Sequence, residues 1–391
     1  MKKVGVVSRG ICTPIIKQGM DLEKVVADSI LEAASSEEGG FTLRDRDVVG
    51  VTESVVARSQ GNYATLEQVA EDIKAKLNLP ESGSVIGVTL PILSRNRFSH
   101  ILRGISLAAE KLYIMLAYPS DEVGNPLINM DVLDEKGVNP YTDVFTADEF
   151  TKLFGKPSHP FTGIDYIEYY KEITDGKAEI ILANEPCEIL KYTKNVIAAD
   201  IHTRHRSKRR LKSAGANVIT LDEVLNASKN GSGWHPDYGV LGSNLATDNT
   251  IKLFPRDAQA FAEGLGARLY KESGKKIEVL VYGDGAFKDP VGGIWELADP
   301  VVSPGFTKGL EGTPNELKIK YLADNVSSEE SDIQELIKSK KADLVGDMSS
   351  QGTTPRRFSD LLGSLCDLTS GSGDKGTPVV LVQGYFDSYA D

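Results

Sequence analysis

An aspartate between two glycines, Asp284, follows a run of apolar residues that ends at Tyr282. The run predicts a buried central strand, and ligand sites of open sheets lie just past the ends of such strands. A carboxylate there can bind a divalent metal, while the glycines let phosphate groups approach the backbone. Lys288 and Asp289 follow shortly after it. The alternative is an Asp-Gly turn that only stabilises the loop.

A second candidate region contains Gly239, Ser243 and Asn244, with Asp237 just before them. Its small side chains and hydrogen-bonding groups would let a ligand approach closely. The same residues also occur in ordinary turns. Asp257, slightly further along the chain, is explained at least as simply as the N-cap of the helix that follows it.

A basic segment at residues 202–210 stands out in an acidic chain, because it holds five Arg and Lys residues within nine positions. It follows a predicted strand and opens a predicted helix. Helix N-termini attract anions, and Arg204 and Arg206 could clamp phosphate or carboxylate groups there. The alternative is a solvated helix face with a few salt bridges. A smaller cationic cluster, at residues 95–103, also follows a predicted strand.

Several familiar catalytic motifs are absent from the sequence. No Walker motif and no Gly-x-Gly-x-x-Gly at the start of a helix is found, so a nucleotide would be held by another arrangement. No His-Glu-x-x-His and no Gly-x-Ser-x-Gly is found either. Aspartates near glycine-rich turns are the most frequent catalytic candidates. This inventory favours metal-assisted phosphate chemistry over nucleophilic hydrolysis.

Short β-branched runs and longer helical periodicities are mixed along the chain, which predicts the α+β (mixed α/β) class. Strands are predicted at 4–7, 47–52, 85–90, 112–117, 179–183, 195–199, 217–220, 251–254, 277–282 and 378–383. Helices are predicted at 21–34, 64–77, 99–111, 206–214, 257–273, 328–339 and 355–366. Residues 119–160 are turn-rich, with one convincing short helix at 146–154.

The composition is that of a folded enzyme. A chain of 391 residues exceeds the size at which one hydrophobic core stops growing, so two domains are expected. The net charge of −12 argues against general binding to nucleic acids or anionic membranes, because both need a broad cationic surface. No apolar run approaches the roughly 20 residues that span a bilayer. We expect a cytoplasmic protein without nucleic-acid or membrane partners.

Several segments, in their order along the chain, resemble the motifs of the coenzyme F420-0:γ-glutamyl ligase family. They are RGI at 9–11, GMDL at 19–22, LRDRDVVGVT at 43–52, VVARSQG at 55–61, GVLGSN at 239–244, LFPRD at 253–257, YGDG at 282–285 and GTPVV at 376–380. No single motif is highly specific. Their shared order, however, is hard to obtain by chance.

The resemblance implies an α+β homodimer that joins L-glutamate to an acid through a γ-glutamyl-type amide bond. Such enzymes use GTP and Mg²⁺ or Mn²⁺, with K⁺ as a further candidate, to form an acyl phosphate that the amino group of glutamate attacks. The implied acceptor is coenzyme F420-0 or a folate-like acid. The predicted site residues are Gly239, Ser243, Asn244, Asp257 and Thr52 for the nucleotide; Asp284, Asp289 and Asp237 for the metal; and Arg204, Arg206 and Lys288 for catalysis.

Two departures from the family pattern lead to further hypotheses. Residues 80–234 have no clear counterpart in short members, so we predict an inserted or elaborated acceptor-specificity domain there and a ligase core formed by residues 1–79 and 235–391. Leu241 stands where the family carries an aspartate. One alternative is therefore a catalytically weakened nucleotide-binding or regulatory protein. The other is a metal-dependent phosphotransferase or phosphatase that uses Asp284.

The assignment of Asp284 can be tested by a substitution that removes its charge but keeps its shape. We expect Asp284→Asn to abolish turnover and to leave the fold intact, because the amide no longer binds a divalent metal well. Steady-state turnover and a circular-dichroism spectrum measure the two effects. Unchanged turnover together with unchanged metal-dependent nucleotide binding would refute the assignment.

Overall fold

A computed structural model of the chain describes residues 4–37, 39–95, 97–159, 162–283, 287–288, 295–296, 301–314, 317–325, 329–343, 356–370, 375–388 and 390. The strands are β1 Val7–Ile11, β2 Val48–Thr52, β3 Tyr63–Thr65, β4 Val85–Thr89, β5 Lys111–Leu116, β6 Phe145–Thr146, β7 Ala178–Leu182, β8 Asn195–Ala198, β9 Asn217–Thr220, β10 Asn244–Thr247, β11 Thr250–Lys252, β12 Glu278–Tyr282, β13 Phe287–Lys288, β14 Trp295–Glu296, β15 Gly305–Phe306 and β16 Val379–Gln383. The α-helices are α1 Leu22–Ser35, α2 Glu53–Ser59, α3 Leu66–Lys76, α4 Ser99–Ala108, α5 Met130–Lys136, α6 Ala147–Phe154, α7 Tyr166–Glu172, α8 Arg204–Ser213, α9 Ala258–Ser273, α10 Ile319–Asn325, α11 Glu330–Asp343 and α12 Phe358–Thr369.

The chain divides into two units. The first comprises Met1–Gln60, Asp257–Gly285 and Val301–Asp391, and the second comprises Gly61–Arg256 and Ala286–Pro300. These boundaries differ from the predicted ones at 79/80 and 234/235. The reason is that β3 pairs with β11, and α3 packs against α4. Strand β3 and helix α3 therefore belong to the second unit, although they precede residue 80. The role of residues 80–234 in acceptor specificity stays a prediction.

The first unit is built on a mixed sheet with the strand order β1-β16-β2-β12-β15. Its two central strands, β2 and β12, run parallel and end side by side, with Thr52 paired to Tyr282. Apolar side chains project from both faces of this sheet, so helices cover both faces. Ile30 of α1 and Leu265 of α9 pack on one face, while Leu362 of α12 packs on the other.

The second unit contains a six-stranded sheet with the order β6-β7-β5-β4-β8-β9. The strands from β7 to β9 are parallel, and β6 is an antiparallel edge. Strand β4 is the first of this sheet along the chain. Strands β5 and β7 follow on one side of it, and β8 and β9 then lie on the other side. Helices cover both faces: Ile105 of α4 and Tyr170 of α7 lie in one core, and Leu211 of α8 lies in the other. This is a doubly wound α/β arrangement.

A small antiparallel sheet in the same unit joins β10, β11 and β3. Its central strand, β11, pairs with β3 through Lys252 and Tyr63. The pairing brings the two ends of the Gly61–Arg256 segment into contact, because β3 lies near its start and β11 near its end.

Most predicted elements overlap an observed one, but the predicted strand at 4–7 is wrong. Val4 and Val6 are 67% and 51% exposed, and the strand starts at Val7 instead. From Val7 onward the chain pairs with β16, which supplies the hydrogen bonds that define the strand. Helix α5, inside the turn-rich stretch, was not predicted. Leu133 is the one residue of α5 classed as buried, which is too few for a readable apolar period.

The predicted α+β class is confirmed by these mixed and parallel sheets with their covering helices. Within the described ranges, no helix combines the length and the apolar character that crossing a bilayer requires.

Candidate functional site

Asn62 joins three segments that are distant from one another along the chain. Its fully buried side-chain amide donates hydrogen bonds to the backbone carbonyls of Trp234 (3.1 Å) and Phe254 (2.6 Å). Its carbonyl oxygen accepts from the Trp234 N–H (2.9 Å) and from the Arg256 guanidinium (2.8 Å). Hydrogen bonds to this one side chain therefore connect the segment after β2 with the segments before Gly239 and after β11.

Aromatic rings surround this junction. The rings of His235, Tyr238 and Phe254 lie within contact of one another, with centroids 4.6 to 6.1 Å apart. The Arg256 guanidinium lies 5.8 Å from the centre of the Trp234 ring. His235 Nδ1 accepts the N–H of Tyr238 at 3.1 Å, so a neutral His235 carries its proton on Nε2.

Gly239 occupies a turn that excludes a side chain. Its φ of +51° is in the left-handed region, and a Cβ atom would lie 2.4 Å from the carbonyl oxygen of Val224. Leu241, two residues later, is buried in the main core of this unit. Packing thus accounts for the glycine at position 239, and its predicted contact with a nucleotide stays a prediction.

The basic cluster at residues 95–103 contacts the Ser243-Asn244 pair. His100 Nε2 lies 2.9 Å from Ser243 Oγ, and both residues are buried. Arg97 donates to the side-chain carbonyl of Asn244 at 2.7 Å. Burial, with help from the nearby charge of Arg97, lowers the pKa of His100 to about 4. His100 is therefore neutral at pH 7 and forms with Ser243 a neutral hydrogen-bonded pair.

The basic segment at 202–210 forms the loop before α8 and most of the helix itself. Three of its cations make ion pairs with carboxylates. The pairs are Arg204 with Asp222 (2.6 Å), Lys208 with Glu223, and Arg210 with Glu185 (2.6 Å). The side chain of Arg206 is exposed. The salt-bridged helix face that we considered as the alternative thus describes part of the segment, and the catalytic roles of Arg204 and Arg206 stay predictions.

Two aspartates at the carboxyl ends of the parallel strands were missed by the sequence analysis. Asp121, after β5, accepts the N–H groups of Leu93 and Asn125, each at 2.8 Å, and so ties the loop after β4 to its own loop. Asp200, after β8, accepts the hydroxyl of Thr203 at 2.6 Å. Burial raises the pKa of both carboxyl groups. Each follows a predicted strand end, which is the signal that could have identified them.

The remaining predicted site residues divide between described and undescribed parts of the chain. Thr52 ends β2, and its N–H donates to the Pro378 carbonyl at 3.0 Å. Asp257 is the N-cap residue of α9, as expected, although its side chain makes no capping hydrogen bond. Lys288 lies in β13. Asp284 and Asp289 lie outside the described residues, so their metal-binding role stays a prediction.

Ser243, Asn244, Phe254 and Arg256 belong to two of the motifs that carry the resemblance noted above. A comparison with known families matches the chain to F420-0:Gamma-glutamyl ligase over residues 10–384. The chain belongs to the F420-0:γ-glutamyl ligase family. None of the curated proteins matches it.

A metal site of the kind that this ligase family implies is not formed by the described residues alone. Among them, no group of three or more His, Cys, Asp or Glu side chains could hold a metal ion. Asp237 is exposed, and its N–H donates to His235 Nδ1 at 3.1 Å. Leu241, where the sequence analysis expects the family's aspartate, is 4% exposed.

The Asn62 junction can be tested through stability. Asn62→Ala would leave the half-buried N–H of Trp234 and the buried carbonyl of Phe254 without their Asn62 partner. We expect a loss of about 2–4 kcal/mol in the free energy of unfolding, since each orphaned buried group costs roughly 1–3 kcal/mol. Urea denaturation measures it. Asn249→Ala is the matched control, because Asn249 makes one exposed hydrogen bond to Glu67 and should cost less than about 1 kcal/mol. Equal losses in the two variants would contradict the central role of Asn62.

The buried His100 predicts a stability change with pH. Its pKa is lowered from 6.5 to about 4, so the unfolded chain binds a proton more readily than the folded one. The resulting stability is present above pH 6.5 and is lost as the pH falls toward 4. It amounts to about 3 kcal/mol, at about 1.4 kcal/mol per unit of pKa shift. Between pH 4.5 and 7, the free energy of unfolding measured by urea denaturation should change less with pH for His100→Gln than for the wild type. His205→Gln, at an exposed histidine, serves as the control. If the stability of His100→Gln depended on pH as strongly as that of the wild type, the assignment would be disproved.

Proposed function

We propose that this protein is a nucleotide- and metal-dependent amide ligase that adds L-glutamate to an acid through a γ-glutamyl-type bond. Membership of the F420-0:γ-glutamyl ligase family over residues 10–384 is the observation that carries the proposal. The acceptor is coenzyme F420-0 or a folate-like acid, and the reaction passes through an acyl phosphate. The enzyme acts as a homodimer in the cytoplasm.

The edge of the first unit's sheet supports a phosphate site. Thr52 and Tyr282 end neighbouring parallel strands, and Asp284 follows Tyr282 by two residues. Glu53 comes directly after Thr52 and is buried, so a carboxylate lies at this edge. The carboxyl ends of parallel strands are a common place for ligands. We assign Thr52 and Asp257 to the nucleotide and Asp284 to the metal.

The nucleotide and its metal would supply the activated phosphoryl group and neutralise its charge. In this proposal the metal is Mg²⁺ or Mn²⁺, held with the help of Asp289 and Asp237, and K⁺ is a further candidate. Reactions of this kind need positioning and cationic groups more than a protein nucleophile. Lys288, Arg204 and Arg206 are the cations that we assign to this role.

A catalytically weakened nucleotide-binding or regulatory protein is the second candidate. The observation that favours it is the burial of Leu241 in the core, because a leucine there provides no metal ligand where the family has an aspartate. On this alternative the chain binds the nucleotide and transfers no phosphate.

A single assay separates these functions. The purified chain is incubated with GTP, with Mg²⁺ or Mn²⁺, and with or without L-glutamate and each candidate acceptor. A ligase should release phosphate only when glutamate and a suitable acid are both present, and mass spectrometry should detect the glutamylated product. Asp284→Asn should release none.

The other outcomes have equally definite meanings. Phosphate release that needs no glutamate would indicate a phosphotransferase or phosphatase. Nucleotide binding without phosphate release under any of these conditions would indicate the weakened binding protein. Either result would contradict the ligase proposal.

A further inference from the structure

The parallel sheet of the second unit has a point where its strand order reverses. The chain starts at β4, and later strands are added first on one side and then on the other, beginning with β8. In open α/β sheets the loops that leave such a pair of strands diverge and form a crevice at the carboxyl edge. The loops after β4 and β8, which lead into the two cationic segments noted in the sequence, are therefore expected to frame a crevice.

Two fully buried polar atoms lie at this edge without partners. Thr89 ends β4, and Asp200 follows β8 closely, since the Ala199 N–H donates to the Thr89 carbonyl at 3.0 Å. Both residues are 0% exposed. Thr89 Oγ1 and Asp200 Oδ1 have no hydrogen-bond partner in the part of the chain that the structure describes. A buried polar atom left unpaired is costly, so a group that donates hydrogen bonds is expected to meet them.

The Asp200 carboxylate is fixed from one side. Its Oδ2 accepts the hydroxyls of Thr203 at 2.6 Å and Ser207 at 2.8 Å, which places the group beneath the first turn of α8. Its nearest cation on that helix, Arg204, donates to Asp222 and to the Ile201 carbonyl. Asp200 Oδ1 is therefore a negative acceptor without a bonded cation among the described residues.

A carboxylate already occupies the other side of this loop. Glu122, an exposed residue after β5, accepts hydrogen bonds from the N–H groups of Ile201 and His202 and from the Thr203 hydroxyl. These N–H and hydroxyl groups lie just before α8, whose N-terminus favours negative charge. The loop thus binds a carboxylate, and the one it binds here belongs to a side chain that could move into solvent.

The two binding elements are adjacent. The Thr203 hydroxyl lies 2.6 Å from Asp200 and 3.3 Å from Glu122, and its one proton can be donated to only one of them at a time. A small molecule with an ammonium group and a carboxylate a few bonds apart would match both elements. Its ammonium would reach Asp200 and Thr89, and its carboxylate would replace that of Glu122.

We propose that this edge of the second unit is a binding site for a small zwitterion of the α-amino-acid class, with Glu122 as an internal competitor for its carboxylate. The inference rests on the proposed function in one respect, because L-glutamate, the amino-acid substrate there, belongs to this class. Neither the nucleotide nor the metal takes part in this binding.

Calorimetric titration of the full chain with L-glutamate, without nucleotide or metal, tests the proposal. Glu122→Ala removes the competitor and should tighten binding about tenfold, while Asp200→Asn removes the ammonium partner and should weaken it about tenfold. Glutarate lacks the ammonium group, so its affinity should be the same in the wild type and in Asp200→Asn. Glu135→Ala, which removes an exposed carboxylate on α5, is the control and should bind like the wild type.

Thermal unfolding of each variant verifies folding, and Glu122→Ala keeps the test decisive if Asp200→Asn does not fold, because Glu122 is exposed. The proposal is overturned if Glu122→Ala binds L-glutamate no more tightly than the wild type. It is also overturned if GTP or inorganic phosphate, rather than L-glutamate, gains affinity in that variant.

The ligase assay distinguishes this inference from the proposed function. Glutamate-dependent turnover with wild-type KM in both Glu122→Ala and Asp200→Asn would overturn the site and leave the function standing. Glutamate binding that responds to both substitutions, in a chain that never releases phosphate, would support the site and remove the function.

Discussion

The second unit depends on the hydrogen-bonding capacity of one buried amide. Asn62 binds groups 172 and 192 residues away along the chain. Buried backbone N–H and carbonyl groups need partners, and here they belong to irregular segments that no strand or helix satisfies. The amide supplies donors and an acceptor together, which an apolar side chain cannot do. Gly233 reflects the same constraint, because a Cβ there would lie 2.6 Å from the Asn62 oxygen.

The two buried aspartates at the edge of the parallel sheet differ in how their carboxylate oxygens are hydrogen-bonded. Asp121 accepts hydrogen bonds from three backbone N–H groups and from the Asn125 side chain, so both of its oxygens are occupied. It organises two loops and has little left to offer a ligand. Asp200 has two hydroxyl partners on one oxygen and none on the other among the described residues. The difference in hydrogen bonding, more than the difference in charge, separates a structural carboxylate from one suited to binding.

The basic helix shows how local pairing changes the meaning of a charge run. In the sequence, its cations indicate an anion site because like charges on one helix repel. In the fold, α8 packs beside loops that carry Asp222, Glu223 and Glu185, which pair with three of those cations. Backbone N–H groups in the loop before the helix also bind an anion, because Glu122 accepts from those of Ile201 and His202.

The sequence alone determined the class of fold, most strands and helices, and the family, because these follow from local apolar periods and from motifs whose order is preserved along the chain. The same local signals located Asp257 at the start of α9. Only the tertiary structure decided which motifs meet: that Asn62 joins segments nearly 200 residues apart, that His100 contacts Ser243, and that Asp200 is buried with one oxygen unpaired. These outcomes depend on strand order and on burial, which are set by packing between distant parts of the chain, and no window of neighbouring residues contains that information.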